Sequence, residues 1–197
     1  NAPVLATVPL FDTRNVTSMH AMFMDASGIT SVPFFETGKV TLMSAMFIGT
    51  KVATVPLFNT VNVKNMSSMF QGASSLASVP LFDTQNVATM ESMFRNTLVL
   101  ATVPLFDTRN VTRMANMFSG ATSLVSVPAF NMQAANVAAP NFIFSTPACT
   151  AVAAAGMRFG WGINNSGLAA TALNTVFTNL GIASGTQTIT ITGNPGA

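Results

Sequence analysis

The sequence predicts an α/β repeat solenoid, and three observations carry that prediction. First, the step Val-Pro recurs at Val8, Val32, Val55, Val79, Val103 and Val127, at spacings of 24, 23, 24, 24 and 24. Second, an apolar residue stands three places ahead of each step (Leu5, Ile29, Val52, Leu76, Leu100, Leu124) and another follows each proline. Third, the pattern Val-x-x-Met-x-x-Met-Phe follows five times, at Val16, Val40, Val63, Val87 and Val111. A fixed period of this length is the mark of stacked supersecondary units, and apolar-x-x-Val-Pro-apolar has the spacing of a leucine-rich repeat.

Each unit divides into two halves. The first is read as a short parallel strand that ends near the valine, because proline has no N–H to give to a central ladder. The Pro9, Pro33, Pro56, Pro80, Pro104 and Pro128 column then leaves along an extended path. The second half is read as a short helix, since offsets 0, 3, 6 and 7 share one helical face. Ten of the 13 methionines fall in this pattern, which explains their abundance. One unit offers about seven buried side chains at roughly 1.5–3 kcal/mol each. Ordering its backbone costs roughly 1–2 kcal/mol per residue over about two dozen residues. A single unit therefore cannot stand alone, whereas stacked units share their apolar faces.

Polar residues repeat in register as well. Thr13, Thr37, Thr60, Thr84 and Thr108 form one column, and Asn15, Asn62, Asn86 and Asn110 form another. Both are expected to satisfy backbone groups at a turn or helix start. Asp12, Glu36, Asn59, Asp83, Asp107 and Asn131 form a third column. The solenoid is expected over 1–142, in about six units. An irregular Ala/Gly/Asn-rich connection should follow over 143–167, and a helix–strand cap over 168–197. In that cap Ala169, Leu173, Val176, Phe177 and Leu180 lie on one helical face, and 186–192 alternates threonine with isoleucine.

Composition narrows the function. Charged residues make up 7% of the 197 residues, against a usual ~25%. The eight basic residues are scattered, and nucleic-acid binding needs a clustered basic stripe. No run is long and apolar enough to be read as a membrane-inserted helix. A lone cysteine, Cys149, and a lone histidine, His20, give no nucleophile–base pair and no cysteine-based metal site. A cation between Asp83 and Asp107 would need further oxygen ligands. The sequence thus points to no catalytic residue, no metal and no cofactor. The chain starts partway through a repeat, and an end exposing apolar surface and strand edge is expected to be covered by other sequence or another chain.

A stripe of small polar residues beside the prolines has two competing readings, short side chains that tolerate tight stacking or a recognition surface. It pairs Thr7 with Pro9, Ser31 with Pro33, Thr54 with Pro56, Ser78 with Pro80, Thr102 with Pro104 and Ser126 with Pro128. Extended faces of repeat proteins commonly bind partners, and so uncharged a stripe suits glycans or neutral proteins.

The segment Val-Pro-Leu-Phe-Asp-Thr-Gln-Asn-Val-Ala-Thr-Met-Glu-Ser-Met-Phe over 79–94 resembles the repeat of BspA-type leucine-rich-repeat surface proteins, which carry Phe-Asp-Thr-x-Asn-Val-Thr-x-Met-x-x-Met-Phe. The resemblance spans 5–142, and the close of the chain is similar to that of phage-encoded copies. It implies a non-enzymatic, adhesin-like module on a cell surface or virion appendage. Its partners would be a glycan or protein on a host or neighbouring cell, together with other chains of the same assembly. The alternative it implies is a structural block of a fibre or virion decoration, joined through the solenoid ends.

Overall fold

The computed structural model describes residues 7–131, 151–155, 161–162 and 189–190. Over 7–131 the chain runs in successive coils, with equivalent residues lying over one another. Single parallel β-bridges join Ser18 to Leu42, Leu42 to Asn65, Asn65 to Thr89 and Thr89 to Arg113. Their offsets follow the Val-Pro spacing, including the one short step.

The segment expected to be helical is instead a succession of turns. In the second described unit, the N–H groups of Met43, Ala45, Phe47 and Gly49 donate to carbonyls of the next coil, at Asn65, Ser67, Met69 and Gln71. Those of Met46, Ile48 and Thr50 close turns onto Met43, Ala45 and Phe47. The same alternation recurs at 19–26, 66–73 and 90–97. A helix would send these groups to carbonyls four residues back in the same unit. It would also need negative φ throughout, yet Ala21, Ala45, Ser68, Ser92 and Asn116 have φ of 53–60°. Four residues further along each unit, Asp25, Gly49, Gly72, Asn96 and Gly120 are again left-handed. That column holds only Gly, Asn and Asp, the residues that visit this region at least cost.

The inter-coil ladder therefore runs through the half expected to be helical. In the half expected to hold the strands, cross-coil bonds are sparse: Lys51 to Ile29, Ala53 to Thr30, Ala77 to Ala53 and Val125 to Ala101. Proline removes a donor from every unit there, and the next residue turns the chain. Phe58, Phe82 and Phe106 each donate from N–H to the carbonyl two residues back, on Pro56, Pro80 and Pro104. These are γ-turns centred on Leu57, Leu81 and Leu105.

Two phenylalanine columns run through the interior. Phe23, Phe47, Phe70, Phe94 and Phe118 step at ring-centroid distances of 5.5–5.7 Å. Phe11, Phe35, Phe58, Phe82, Phe106 and Phe130 step at 6.3–6.5 Å. The dense ladder draws the first column together, while the proline side, with few bonds between coils, stands wider. Val, Met, Met and Phe of the second half are buried from Val40 through Phe118, as are Ile29, Val52, Leu76, Leu100 and Leu124.

Among the described residues, four strands lie from 126 onwards. β1 (Ser126–Asn131) pairs in parallel with β2 (Ala151–Ala155), and β3 (Trp161–Gly162) with β4 (Ile189–Thr190). The register of the first pair shifts between Val127 and Phe130, around Pro128, which cannot donate to a ladder. Strands β2 and β3 fall where irregular structure was expected, and β4 lies inside the expected 186–192 strand. The expected helix over 169–180, Phe142 and Cys149 lie outside the described residues.

Phe94→Ala should cost about 3–5 kcal/mol, because it removes a ring stacked on its neighbours and leaves a cavity. Thr84→Val should cost about 1–3 kcal/mol, by leaving the Asp107 carbonyl without its hydroxyl donor. Urea denaturation midpoints of the two variants check both values.

Candidate functional site: the proline–leucine edge

The polar columns are stitches between coils. The hydroxyls of Thr37, Thr60 and Thr84, all buried, donate forward to the carbonyls of Asn59, Asp83 and Asp107 at 2.8–2.9 Å. Thr13, also buried, makes no hydrogen bond through its hydroxyl among the described residues. Thr108 is buried in the same column. The amides of Asn62, Asn86 and Asn110 donate backward to the carbonyls of Gly38, Val61 and Gln85 at 2.7–2.8 Å. Where the second unit carries Lys39 in place of asparagine, its ammonium donates to Asn15 Oδ1 at 2.7 Å. Neighbouring columns thus bind the coils of Thr60 and Thr84 to the one after and, through Asn62 and Asn86, to the one before, and these four side chains are not free for a ligand.

The acidic column serves the same corner. Carboxylate or amide oxygens of Asp12, Asn59, Asp83 and Asp107 accept the N–H two residues on. This turn is natural to Asp and Asn. Asp12 and Asp107 are also paired side-on with Arg14 and Arg109, at 2.8 and 2.7 Å. The hydrogen bonds from each guanidinium hold these two carboxyls below the usual aspartate range, and each Arg is raised in turn. Among the described residues no three His, Cys, Asp or Glu lie together as a metal site would need. His20 is exposed, with Nδ1 2.7 Å from Ser44 Oγ.

The expected stripe lies on the outside. Thr7, Ser31, Thr54, Ser78, Thr102 and Pro9 are exposed, and Ser126, Pro33, Pro56, Pro80, Pro104 and Pro128 are half-buried. The surface is not the flat stripe the sequence suggests, because Leu10, Phe34, Leu57, Leu81 and Leu105, each following a proline, stand out from it. Leu10, Leu57, Leu81 and Leu105 are 59–73% exposed and Phe34 is 48% exposed. At Leu57, Leu81 and Leu105 the γ-turn is the cause: it sends the valine before and the phenylalanine after into the interior, and the residue at its apex outward. Sequence reasoning counted this position among the apolar positions that fill the interior. The signal that separates it is Pro-Leu-Phe, two consecutive large apolar residues of which an extended chain can bury only one.

The leucines form a ridge one residue wide. Beside it lies an open groove of about 320 Å³, lined by Phe34, Leu57, Phe58, Leu81, Asn59, Thr60 and Asp83. Contiguous apolar surface of this kind, rimmed by polar groups, marks interaction sites in soluble proteins.

Replacing Leu57, Leu81 and Leu105 together by serine should change stability little, within about 0.5 kcal/mol per site, as thermal unfolding will show. Asp107 titrates in the opposite sense to a buried acid. Its contribution is present above the ordinary aspartate range and is lost as pH falls through its depressed value. In Arg109→Gln, the Asp107 carboxyl followed by carbon-13 NMR should therefore titrate at a higher pH.

No curated protein and no solved structure matches the chain. Two overlapping stretches, 4–99 and 77–148, match a family described as "Mycoplasma protein of unknown function, DUF285". Together they cover well over half of the sequence, and the phased Val-Pro and Met-Phe units fall within them. The chain belongs to this DUF285 family.

Proposed function

We propose that the protein is a non-enzymatic binding or adhesion module, exposed on a cell surface or virion appendage. We place it with the BspA-like leucine-rich-repeat proteins as a variant solenoid whose ladder has moved to the Met-Phe half. The observation that carries the reading is the proline–leucine edge: a periodic apolar ridge, held outward by a γ-turn in successive coils, flanked by exposed serine and threonine. The polar columns behind it are largely occupied in holding the stack together, whereas the edge repeats its exposed apolar residue from coil to coil and stands open to a partner. Apolar side chains standing in water favour a protein partner over a glycan, because their burial is the main gain available on binding.

Purified protein applied to panels of extracellular proteins, glycans and intact bacterial and animal cells tests the reading. Binding should appear on proteins or cells and fall by about tenfold or more, roughly 1.4 kcal/mol, in the Leu57, Leu81 and Leu105 to serine variant. No binding on any panel, or binding indifferent to the three substitutions, would overturn it.

A further inference from the structure

We infer that the edge takes an extended polypeptide segment, laid along the ridge from coil to coil, with alternate apolar side chains facing inward and a lysine or arginine among them. This rests on the reading of the edge as a binding surface and adds the conformation and chemistry of the partner.

The step between coils on this side, read from the interior rings, selects the conformation. Each ridge residue is bonded in sequence to a member of the wide phenylalanine column, whose equivalent rings step by 6.3–6.5 Å. Side chains on one face of an extended strand recur every two residues, at about 6.4–6.8 Å. Four successive gaps can thus be filled in register. A helix lying along the ridge advances about 5.4 Å per turn, so it falls about 4 Å out of step over the same four gaps. A polyproline segment repeats about every 9.3 Å and meets only some of the gaps.

The area argues the same way. The five exposed ridge side chains present on the order of 500 Å² of apolar surface, in a line one residue wide. A stable interface between two copies buries about 800 Å² on each. The ridge is too narrow for that and suits a single strand.

Charge supplies the third argument. Of the four acids beside the ridge, Asp12 and Asp107 have their own arginines. Asp83 has no ion pair among the described residues and lines the groove with Leu57 and Leu81, and Glu36, whose charge Arg14 also feels, has none within 4 Å. A lysine or arginine on the inward face of the strand can lay its methylene stem over the leucines and carry its charge to these carboxylates.

Fluorescence anisotropy with synthetic peptides tests the inference. The probe is a labelled peptide of about nine residues alternating threonine with valine, one central valine replaced by lysine. Controls are the same composition with the valines made contiguous, the same peptide interrupted by proline, and an amphipathic helical peptide. The alternating probe should bind about tenfold tighter than each control. Leu81→Ser should weaken it, and Glu36→Gln with Asp83→Asn should remove the gain from lysine and the salt dependence of binding. Equal binding of the scrambled or helical peptide, no binding of any peptide, or light scattering that shows dimers lost in Leu81→Ser would overturn the inference. Failure of the broader reading looks different: cell and protein binding would then ignore the leucine substitutions altogether. If those substitutions abolish cell binding while the alternating probe neither binds nor competes, only the extended partner is wrong.

Discussion

Everything in this chain depends on alternate N–H groups of each Met-Phe segment reaching across to the next coil. In an isolated unit those donors would face water, and so short a segment could not hold a helix either. Once a neighbour is present, every second donor finds a carbonyl 2.7–3.0 Å away and the remaining ones close turns within the unit. The residues forced to positive φ, such as Ala45 and Ser68, are strained alone. They are held because bonds on both sides determine the conformation. Stability is then a property of the stack, which is the energetic logic of repeat proteins.

The ladder also shapes what lies opposite it. It draws the Phe23 column together, and the proline side, lacking a donor in each unit, remains wider. Proline, γ-turn and leucine act in sequence there. Proline ends the sparse ladder, the turn reverses the side-chain alternation, and the leucine is left outside. The same residues that prevent a second continuous ladder thus build the exposed ridge. A fully bonded edge would present uniform backbone to a neighbouring chain, whereas this one presents side chains.

Asparagine and threonine columns are easily mistaken for recognition surfaces, because they are regular and polar. Their bonds show a different task. Threonine donates to the coil after and asparagine to the coil before, so the corners at 60–62 and 84–86 are tied in both directions. Lys39 keeps the backward direction with a longer side chain, reaching Asn15 instead of a backbone carbonyl. The column tolerates that exchange because what it needs is a donor at that corner.

The sequence by itself determined the period, its one short step and most of the buried positions, because these follow from where apolar residues recur. Ile29, Val52, Met43, Met66, Phe70 and Phe94 are buried where periodicity placed them. It determined the corner chemistry too, since Asp, Asn and Thr carry their turn preferences with them. Offsets of 0, 3, 6 and 7 could not distinguish a helix from a chain of turns, for both bring the same four side chains to one side. The left-handed Asp25, Gly49, Gly72, Asn96 and Gly120 column held that information, but its meaning rests on bonds to another coil. Only the tertiary structure decided where the ladder runs and which of two adjacent apolar residues faces water. The ladder's place is set by partners some 24 positions away, which no local pattern records, while Pro-Leu-Phe shows that one of two apolar residues must face water without saying which.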